Sequence, residues 1–286
     1  MEHHQQNKVN KQEDMAMKKR KAKEIAVFGN YRNYYGYRIG QDMEEDPRLK
    51  AMKKEWFEGK DCLDIGCNSG VITIAIAQKF NCQSILGIDI DEARVQDAYW
   101  TLRKTVRSSR FVPAGVAKST ESKNVTAIEN HVDESPMKRA STECTETHHA
   151  QYANLFDIVS FKKGNFIHHW HPGENTSYNT IICLSVSKWV QLNWGDEGLI
   201  TLFSKVWRLL SPGGVFILEP QPWSSYYSNR LVSGTTRTNY QEIKIRPEDF
   251  QDILLDKIGF RMVEDITSNA SGRKLGFNRP IFAFWK

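Results

Sequence analysis

The chain has 286 residues, 40% of them hydrophobic and 11% aromatic, enough apolar surface to bury a core and to exclude wholesale disorder. No apolar run approaches the roughly 20 residues that span a bilayer. The N-terminus is polar and basic from its first residues, without the apolar stretch of a secretion signal, so a soluble intracellular protein without a membrane partner is expected.

The net charge of +5 is unevenly placed. Residues 1–23 hold seven Lys or Arg against three acidic residues. The run Lys18-Lys19-Arg20-Lys21 has the composition of a nuclear import signal or of an arm that neutralises nucleic-acid phosphates. A solvated tail that aids solubility fits the same charges. The tail, residues 1–24, has no core-forming pattern. The stretch 107–149 has none either, being rich in Ser, Thr, Glu, Lys and Asn with Phe111 its only aromatic. Such composition cannot offset the entropy of ordering, so a disordered tail and a disordered insertion at about 107–149 are expected, within one domain spanning 25–286. Residues 267–279 form a shorter stretch of the same kind. The five cysteines are spread without a CxxC pair, which points to reduced packing residues and to no metal site.

Along the chain, strand and helix patterns alternate. Cys62 to Ile65 is a short apolar run ending in Gly, and Val71 to Phe80 follows as a helix. Ser84 to Ile90 reads as a second buried strand and Glu92 to Val106 as a helix with a charged face. Phe156 to Phe161 and Thr180 to Leu184 read as strands. Glu197 to Leu210 is a helix by its apolar spacing, stopped by Pro212-Gly213-Gly214, and Val215 to Leu218 is the next strand. Pro247 opens a helix with Phe250, Ile253, Leu254 and Ile258 on one face, capped by Gly259. Phe260 to Glu264 and Ile281 to Trp285 are then two strands without a helix between them. Alternating units predict a parallel sheet covered on both faces, and the last pair predicts one antiparallel hairpin at an edge. The expected fold is therefore α/β: the class I Rossmann-like methyltransferase architecture, with a seven-stranded, mostly parallel sheet and an antiparallel terminal hairpin.

The motif that carries chemistry is Asp64-Ile65-Gly66-Cys67-Asn68-Ser69-Gly70, between a strand and a helix. Its glycines allow a tight turn and a close backbone approach to a ligand. Asp89, at the end of the second strand, is placed to accept hydrogen bonds from ribose hydroxyls. The pattern is not the GxGxxG that presses helix amides onto a pyrophosphate. It resembles motif I of methyltransferases that use S-adenosylmethionine. An NAD-type oxidoreductase and a non-catalytic α/β domain remain open on this turn alone.

Three further segments stand out. Residues 28–38, FGNYRNYYGYR, gather four tyrosines and two arginines, either as a lid packed on the sheet or as a base-stacking platform with arginines for phosphates. Residues 183–198, CLSVSKWVQLNWGDEG, and 219–226, EPQPWSSY, both follow strand ends, on the rim where a methyl acceptor must sit. The first lacks the Asn/Asp-Pro-Pro-aromatic element used on exocyclic base amines. An isolated lysine such as Lys188 is ordinarily solvated, but its place just past the strand carrying Leu184 favours phosphate contact. Trp189 and Trp194 are open between packing and a direct part in the pocket.

Together with DPRLKAMKKEWFEGKDCLDIGCNSG, GIDID, KGNF and GFNRPIF, these segments closely resemble the methylphosphate capping enzymes of the Bicoid-interacting protein family, over about residues 28–286. The resemblance implies an S-adenosylmethionine-dependent RNA methyltransferase acting on the γ-phosphate at the 5′-triphosphate end of a 7SK-like small nuclear RNA, in the nucleus. It also implies a La-related protein partner in the same ribonucleoprotein. Cofactor contacts would fall on Tyr37, Arg48, Gly66, Cys67, Asn68, Asp89, Ile90, Asn165 and Leu184. Of these, Arg48 suits the cofactor carboxylate, and Asn165 either meets adenine or makes a turn. Arg32, Arg38, Lys188 and Arg279 would grip non-attacking phosphate oxygens, with Tyr31 or Tyr34 near the first nucleotide and Trp189 beside the substrate. Lys188 and Tyr34 are the expected catalytic pair.

A terminal phosphate oxygen is anionic near neutral pH and needs no deprotonation, which agrees with the lack of a recognisable His or carboxylate dyad. Orientation would then carry most of the rate. Two rivals are a 5′-monophosphate RNA methyltransferase and a cofactor-binding RNA chaperone. A small-molecule methyltransferase is weaker, since it explains neither the basic tail nor the tyrosine-arginine segment.

Overall fold

The computed structural model describes residues 26–32, 34, 45–109, 155–174, 176–267 and 279–286. The tail at 1–24 and most of the insertion placed at 107–149 lie outside these residues. A short helix, α1 (Pro47–Ala51), is capped by the Asp46 side chain and leads to a sheet of seven strands. In chain order these are β1 (Asp61–Ile65), β2 (Ser84–Asp89), β3 (Val159–Lys163), β4 (Tyr178–Leu184), β5 (Leu210–Glu219), β6 (Met262–Asp265) and β7 (Phe282–Trp285).

Their spatial order is β3-β2-β1-β4-β5-β7-β6, with every pair from β3 to β5 parallel and β7 antiparallel to both β5 and β6. This is the order and strand sense of the class I methyltransferase fold. Strands buried on both faces need near-continuous apolar sequence, and β4 supplies it in Ile181-Ile182-Cys183-Leu184. Alternate residues serve opposite cores. Ile182 and Leu184 join the core beneath α2 (Val71–Phe80) and α3 (Glu92–Ser109), while Ile181 and Cys183 join the core beneath the long helix that follows β4.

Several elements differ from the sequence reading. α3 continues to Ser109, so the insertion starts later than residue 107. The stretch read as a strand from Phe156 begins as a helical turn, α4 (Leu155–Ile158), before β3. The helix read at Glu197–Leu210 is the second half of α5 (Ser187–Leu209), whose halves meet at a kink at Gly195, φ 63° and ψ −164°. Trp189, Val190 and Leu192 already bury the first half, but the glycine hid its continuity with the second. Pro212-Gly213-Gly214 falls inside β5, where the register against β4 shifts between Tyr178 and Thr180.

Between β5 and the last helix lie two helices that the apolar pattern did not reveal, α6 (Trp223–Asn229) and α7 (Gly234–Glu242). They close a third small core of Trp189, Leu192, Tyr226 and Ile243. A capping box between Ser233 and Thr236 starts α7. The last helix, α8 (Phe250–Asp252), is preceded by a 3-10 turn at Pro247–Asp249. It runs into a π-helical stretch, Ile253–Ile258, that ends at Gly259 with φ 103°. The four described cysteines, Cys62, Cys67, Cys82 and Cys183, are buried and unbridged. No described helix is long and apolar enough to cross a membrane.

Candidate active site

The sheet reverses direction of winding between β1 and β4, and ligands of such sheets bind outside the carboxyl ends at that point. A cavity of about 800 Å³, its open mouth included, lies there. One wall comes from the turn after β1. The amides of Gly66 and Cys67 both donate to the Ile88 carbonyl, at 2.7 and 3.0 Å, tying the turn to the end of β2. Gly66 has φ 77°, and a Cβ there would stand 2.4 Å from Val186 Cγ2. The glycine therefore makes room for a protein side chain as well as lining the cavity.

Asp89 lines the same wall and is 7% exposed. Its Oδ2 accepts the Asn68 amide and its Oδ1 the Asp91 amide, both at 2.9 Å, and each oxygen retains a further lone pair. Burial pushes its pKa up to about 6, against the opposing pull of those two amides. Asn30 reaches the same corner, donating through Nδ2 to Asp91 Oδ2. Its Oδ1 is buried, and it finds no partner among the described residues. Asp64 sits behind the turn rather than in the cavity. It accepts from Thr73 Oγ1 at 2.6 Å, and burial raises its pKa to about 6, with Thr73 and Arg48 working in the other direction.

The opposite wall is built where β4 and β5 end. Ser185 adopts φ 64°, a left-handed conformation uncommon for a residue with a side chain. Contacts with Glu219, Gln221 and Arg279 hold it there. Its amide donates to the Glu219 carbonyl at 3.0 Å, and its hydroxyl donates to Glu219 Oε2 at 2.7 Å. Gln221 Nε2 donates to its carbonyl, and Arg279 donates to its Oγ at 2.8 Å. Gln221 Oε1 in turn accepts the Lys188 amide at 3.2 Å, fixing the start of α5. The two unusual segments of the sequence are thus one apparatus: the Glu219-Pro220-Gln221 strand end clamps the turn that presents Lys188 and Trp189.

Trp189 is the centre of this wall. Lys188 Nζ stands 4.4 Å from its ring centroid, and Tyr31 packs edge-on at 5.9 Å. Gly29, with φ 72°, comes so close that a Cβ would lie 2.1 Å from Trp189 Nε1. Lys188 is itself only 5% exposed, and its ammonium donates to Ser225 Oγ at 2.9 Å and Asn229 Oδ1 at 2.7 Å on α6. Trp194 stacks on Phe28 at 5.7 Å and completes the rim.

The structure brings most of the sequence-derived residues together. Tyr34, Gly66, Asn68, Asp89, Ile90, Asn165, Leu184 and Trp189 line the cavity. Asn165 makes the turn considered for it, its Oδ1 accepting the amides of Ile167 and His168, and it also lines the cavity. Tyr31, Lys188 and Arg279 stand immediately behind the lining, through Trp189 and Ser185. Cys67 is buried beneath the turn, and burial raises its thiol pKa well above the ordinary range.

Arg48 does not line the cavity. Its guanidinium is 3% exposed and is held by Asp46 Oδ2 at 2.8 Å and Glu219 Oε2 at 3.0 Å. Two neighbouring carboxylates account for a buried guanidinium there, so the residue supports Glu219 and, through it, Ser185. Arg32 is exposed, and Tyr37 and Arg38 lie outside the described residues. Asn30, Ser185, Glu219 and Gln221 were not singled out from sequence, although all stand in segments that were.

Among the described residues that line the cavity, Asp89 is the only carboxylate, and no histidine joins it. No described group of His, Cys, Asp and Glu is arranged to hold a metal ion. The site can therefore bind a nucleoside-like ligand on one wall and orient an acceptor on the other.

Residues 178–286 match the family model of Bicoid-interacting protein 3 (Bin3), and residues 48–128 match that of ribosomal protein L11 methyltransferase (PrmA). A protein of Arabidopsis thaliana described as a probable RNA methyltransferase is 57% identical over 268 residues, covering 94% of this chain and 83% of the relative. The U6 snRNA methylphosphate capping enzyme Amus of Drosophila melanogaster is 34% identical, covering 91% of this chain and 74% of the relative. The 7SK snRNA methylphosphate capping enzyme of Homo sapiens is 33% identical over 91% of this chain, which spans 39% of that relative's length. The chain belongs to the Bicoid-interacting protein 3 family of methyltransferases.

Proposed function

We propose that the chain transfers a methyl group from S-adenosylmethionine to a terminal phosphate oxygen at the 5′ end of a small nuclear RNA, the γ-phosphate of a 5′-triphosphate. The observation that carries this reading is the make-up of the acceptor wall. Trp189 and Ser185 line it, and cationic Lys188 and Arg279 stand behind it. Among the described residues that line the cavity there is no carboxylate or histidine on this side to act as a general base, Glu219 behind Ser185 being engaged by Arg48. An oxygen nucleophile that must lose a proton would need such a base. A phosphate oxygen is already anionic, and the two cations favour its approach.

The residues present suit the cofactor. Asp89 and the unpartnered Asn30 Oδ1 offer acceptors for the ribose hydroxyls or the adenine amine. Ile65, Ile88, Ile90 and Phe166 supply an apolar slot among these polar groups. The bound cofactor supplies an activated methyl on a sulfonium, which leaves as a neutral thioether. The protein's part is to orient the acceptor in line and exclude water, an effect worth up to about 7–11 kcal/mol in favourable cases. Lys188, fixed by Ser225 and Asn229, holds positive charge beside Trp189 without moving to do so.

A nuclear location and a La-related partner belong to this proposal through the family resemblance, and the basic run Lys18–Lys21 supports the first. The decisive experiment incubates the chain with labelled cofactor and RNAs bearing 5′-triphosphate, monophosphate or hydroxyl ends. Label is expected on the triphosphate RNA. Preference for monophosphate would move the acceptor to that end, and transfer independent of the 5′ group would refute phosphate methylation.

A further inference from the structure

The α6–α7 pair was invisible to the apolar pattern and has no part in the cavity lining, yet its surface is unusual. Residues 223–246 carry four basic side chains, Arg230, Arg237, Lys244 and Arg246, against one acidic, Glu242. The aromatic residues interleave with them. Arg246 lies 3.5 Å above the Trp223 ring, Trp223 stacks on Tyr240 at 4.8 Å, and Tyr240 meets Tyr227 edge-on at 6.4 Å. Arg230 covers Tyr227 at 3.5 Å, while Tyr227 remains 56% exposed. Arg230, Arg237, Tyr240 and Gln241 line an open concavity together with Leu231, which is 64% exposed.

This surface is rigid and continuous with the active site. Tyr226 donates to Gln191 at 2.9 Å and Asn239 to the Leu192 carbonyl at 2.9 Å, which fastens both helices to α5. Asn229, the neighbour of Arg230 in sequence, accepts from Lys188 and donates to the Tyr31 hydroxyl at 3.3 Å. Lys188 and Asn229 therefore link the acceptor wall to Arg230 at the concavity.

We propose that the α6–α7 face is a second RNA contact surface, which holds nucleotides downstream of the methylated end. Exposed aromatic rings provide stacking faces that any base can use, and guanidinium groups beside them reach phosphates. The proposal rests on the RNA reading of the active site and adds to it a site separate from the cofactor and the acceptor phosphate. Its reader is the backbone and the base faces of a single strand, so it contributes affinity without sequence choice.

The test compares a 5′-triphosphate dinucleotide with a longer single-stranded RNA, using the whole chain and its Arg230→Gln/Arg237→Gln variant. KM for the longer RNA should rise about tenfold, and its dependence on salt should flatten. kcat, and KM for the dinucleotide, should stay as in the parent, which also reports an intact fold. Tyr227→Ala should weaken the longer RNA in the same selective way. Direct binding of labelled 5′-hydroxyl RNA, read by anisotropy, gives the same comparison without catalysis, so absence of turnover would sink the proposed reaction rather than this surface. Unchanged affinity for the longer RNA would overturn the proposal and leave the face to a protein. An equal rise of KM for both substrates would overturn it too, by placing the arginines' effect in the cavity.

Discussion

The two walls of the cavity meet the same solvent but are made in opposite ways. The β1–β2 wall uses main-chain groups and one carboxylate: the Gly66 and Cys67 amides tied to Ile88, and Asp89 held by the amides of Asn68 and Asp91. The β4–β5 wall uses side chains that meet across long stretches of sequence. Arg48 reaches Glu219, Glu219 and Arg279 reach Ser185, and Lys188 reaches α6. The first wall has a shape that many sequences can make and suits a ligand common to a whole fold. The second depends on particular partners, and under the proposed reaction it is the wall that meets the acceptor.

If that contrast holds, breaking each wall should give a different phenotype. The largest effect is expected from Asp89→Ala. It removes a buried carboxylate with lone pairs for two ribose hydroxyls, and calorimetry should show cofactor affinity down by about a hundredfold or more. Near-normal affinity would dismantle the assignment of this wall. Next comes Glu219→Ala, which strips one carboxylate from the buried Arg48 guanidinium and the side-chain hydrogen bond from the Ser185 hydroxyl, while the main-chain bond to Ser185 stays. Loss of about 3–5 kcal/mol is expected in denaturant unfolding. A change under about 1 kcal/mol would mean that Asp46 alone suffices for Arg48.

Lys188→Met keeps the stem packed on Trp189 but removes the charge. Turnover should fall roughly tenfold to a hundredfold while cofactor affinity is retained. Equal loss of both would make Lys188 a folding residue and erase the distinction between the walls.

The smallest expected effect is on pH dependence. Asp89 must be ionised to serve the cofactor best, and its pKa stands at about 6. Cofactor affinity should therefore weaken as pH falls below about 6, by up to tenfold per unit. Ligand-free stability should run the other way. Asp64 and Asp89 both titrate above the ordinary 3.8, so between that value and about 6 the folded form binds more protons than the unfolded one. The stability they contribute is present at the acidic end and lost as pH rises through about 6. A titration of affinity with no inflection near 6 would place the carboxylate's ionisation outside binding.

The same contrast decides what could be read in advance. β1, β2 and the turn between them are short-range patterns, so Asp64, Gly66 and Asp89 could be placed from spacing alone. Even the reversed hairpin of β6 and β7 followed from the lack of a helix between two apolar runs. The start of α5 was hidden because Gly195 interrupts its periodicity, and α6 and α7 because their buried residues number few and serve only a small core. Arg48 shows a harder limit. An arginine near a cofactor turn suits a ligand carboxylate, but Asp46 and Glu219 already engage this one, and Glu219 is 171 positions away. No local pattern records such a partner. Asn30 and Ser185 were passed over for the same reason, because what marks them is an unmatched oxygen in one case and a left-handed backbone in the other.

The contact between Gly66 and Val186 has a consequence for redesign. The space a Cβ would need at the first position is filled by a methyl group of the second, so the two walls share one volume. Exchanging the acceptor turn for that of another methyltransferase would import whatever stands at position 186 and with it a new demand on the cofactor turn. Successful chimaeras should therefore change both positions together, and those that move only one turn should lose cofactor binding before any choice of acceptor can be expressed.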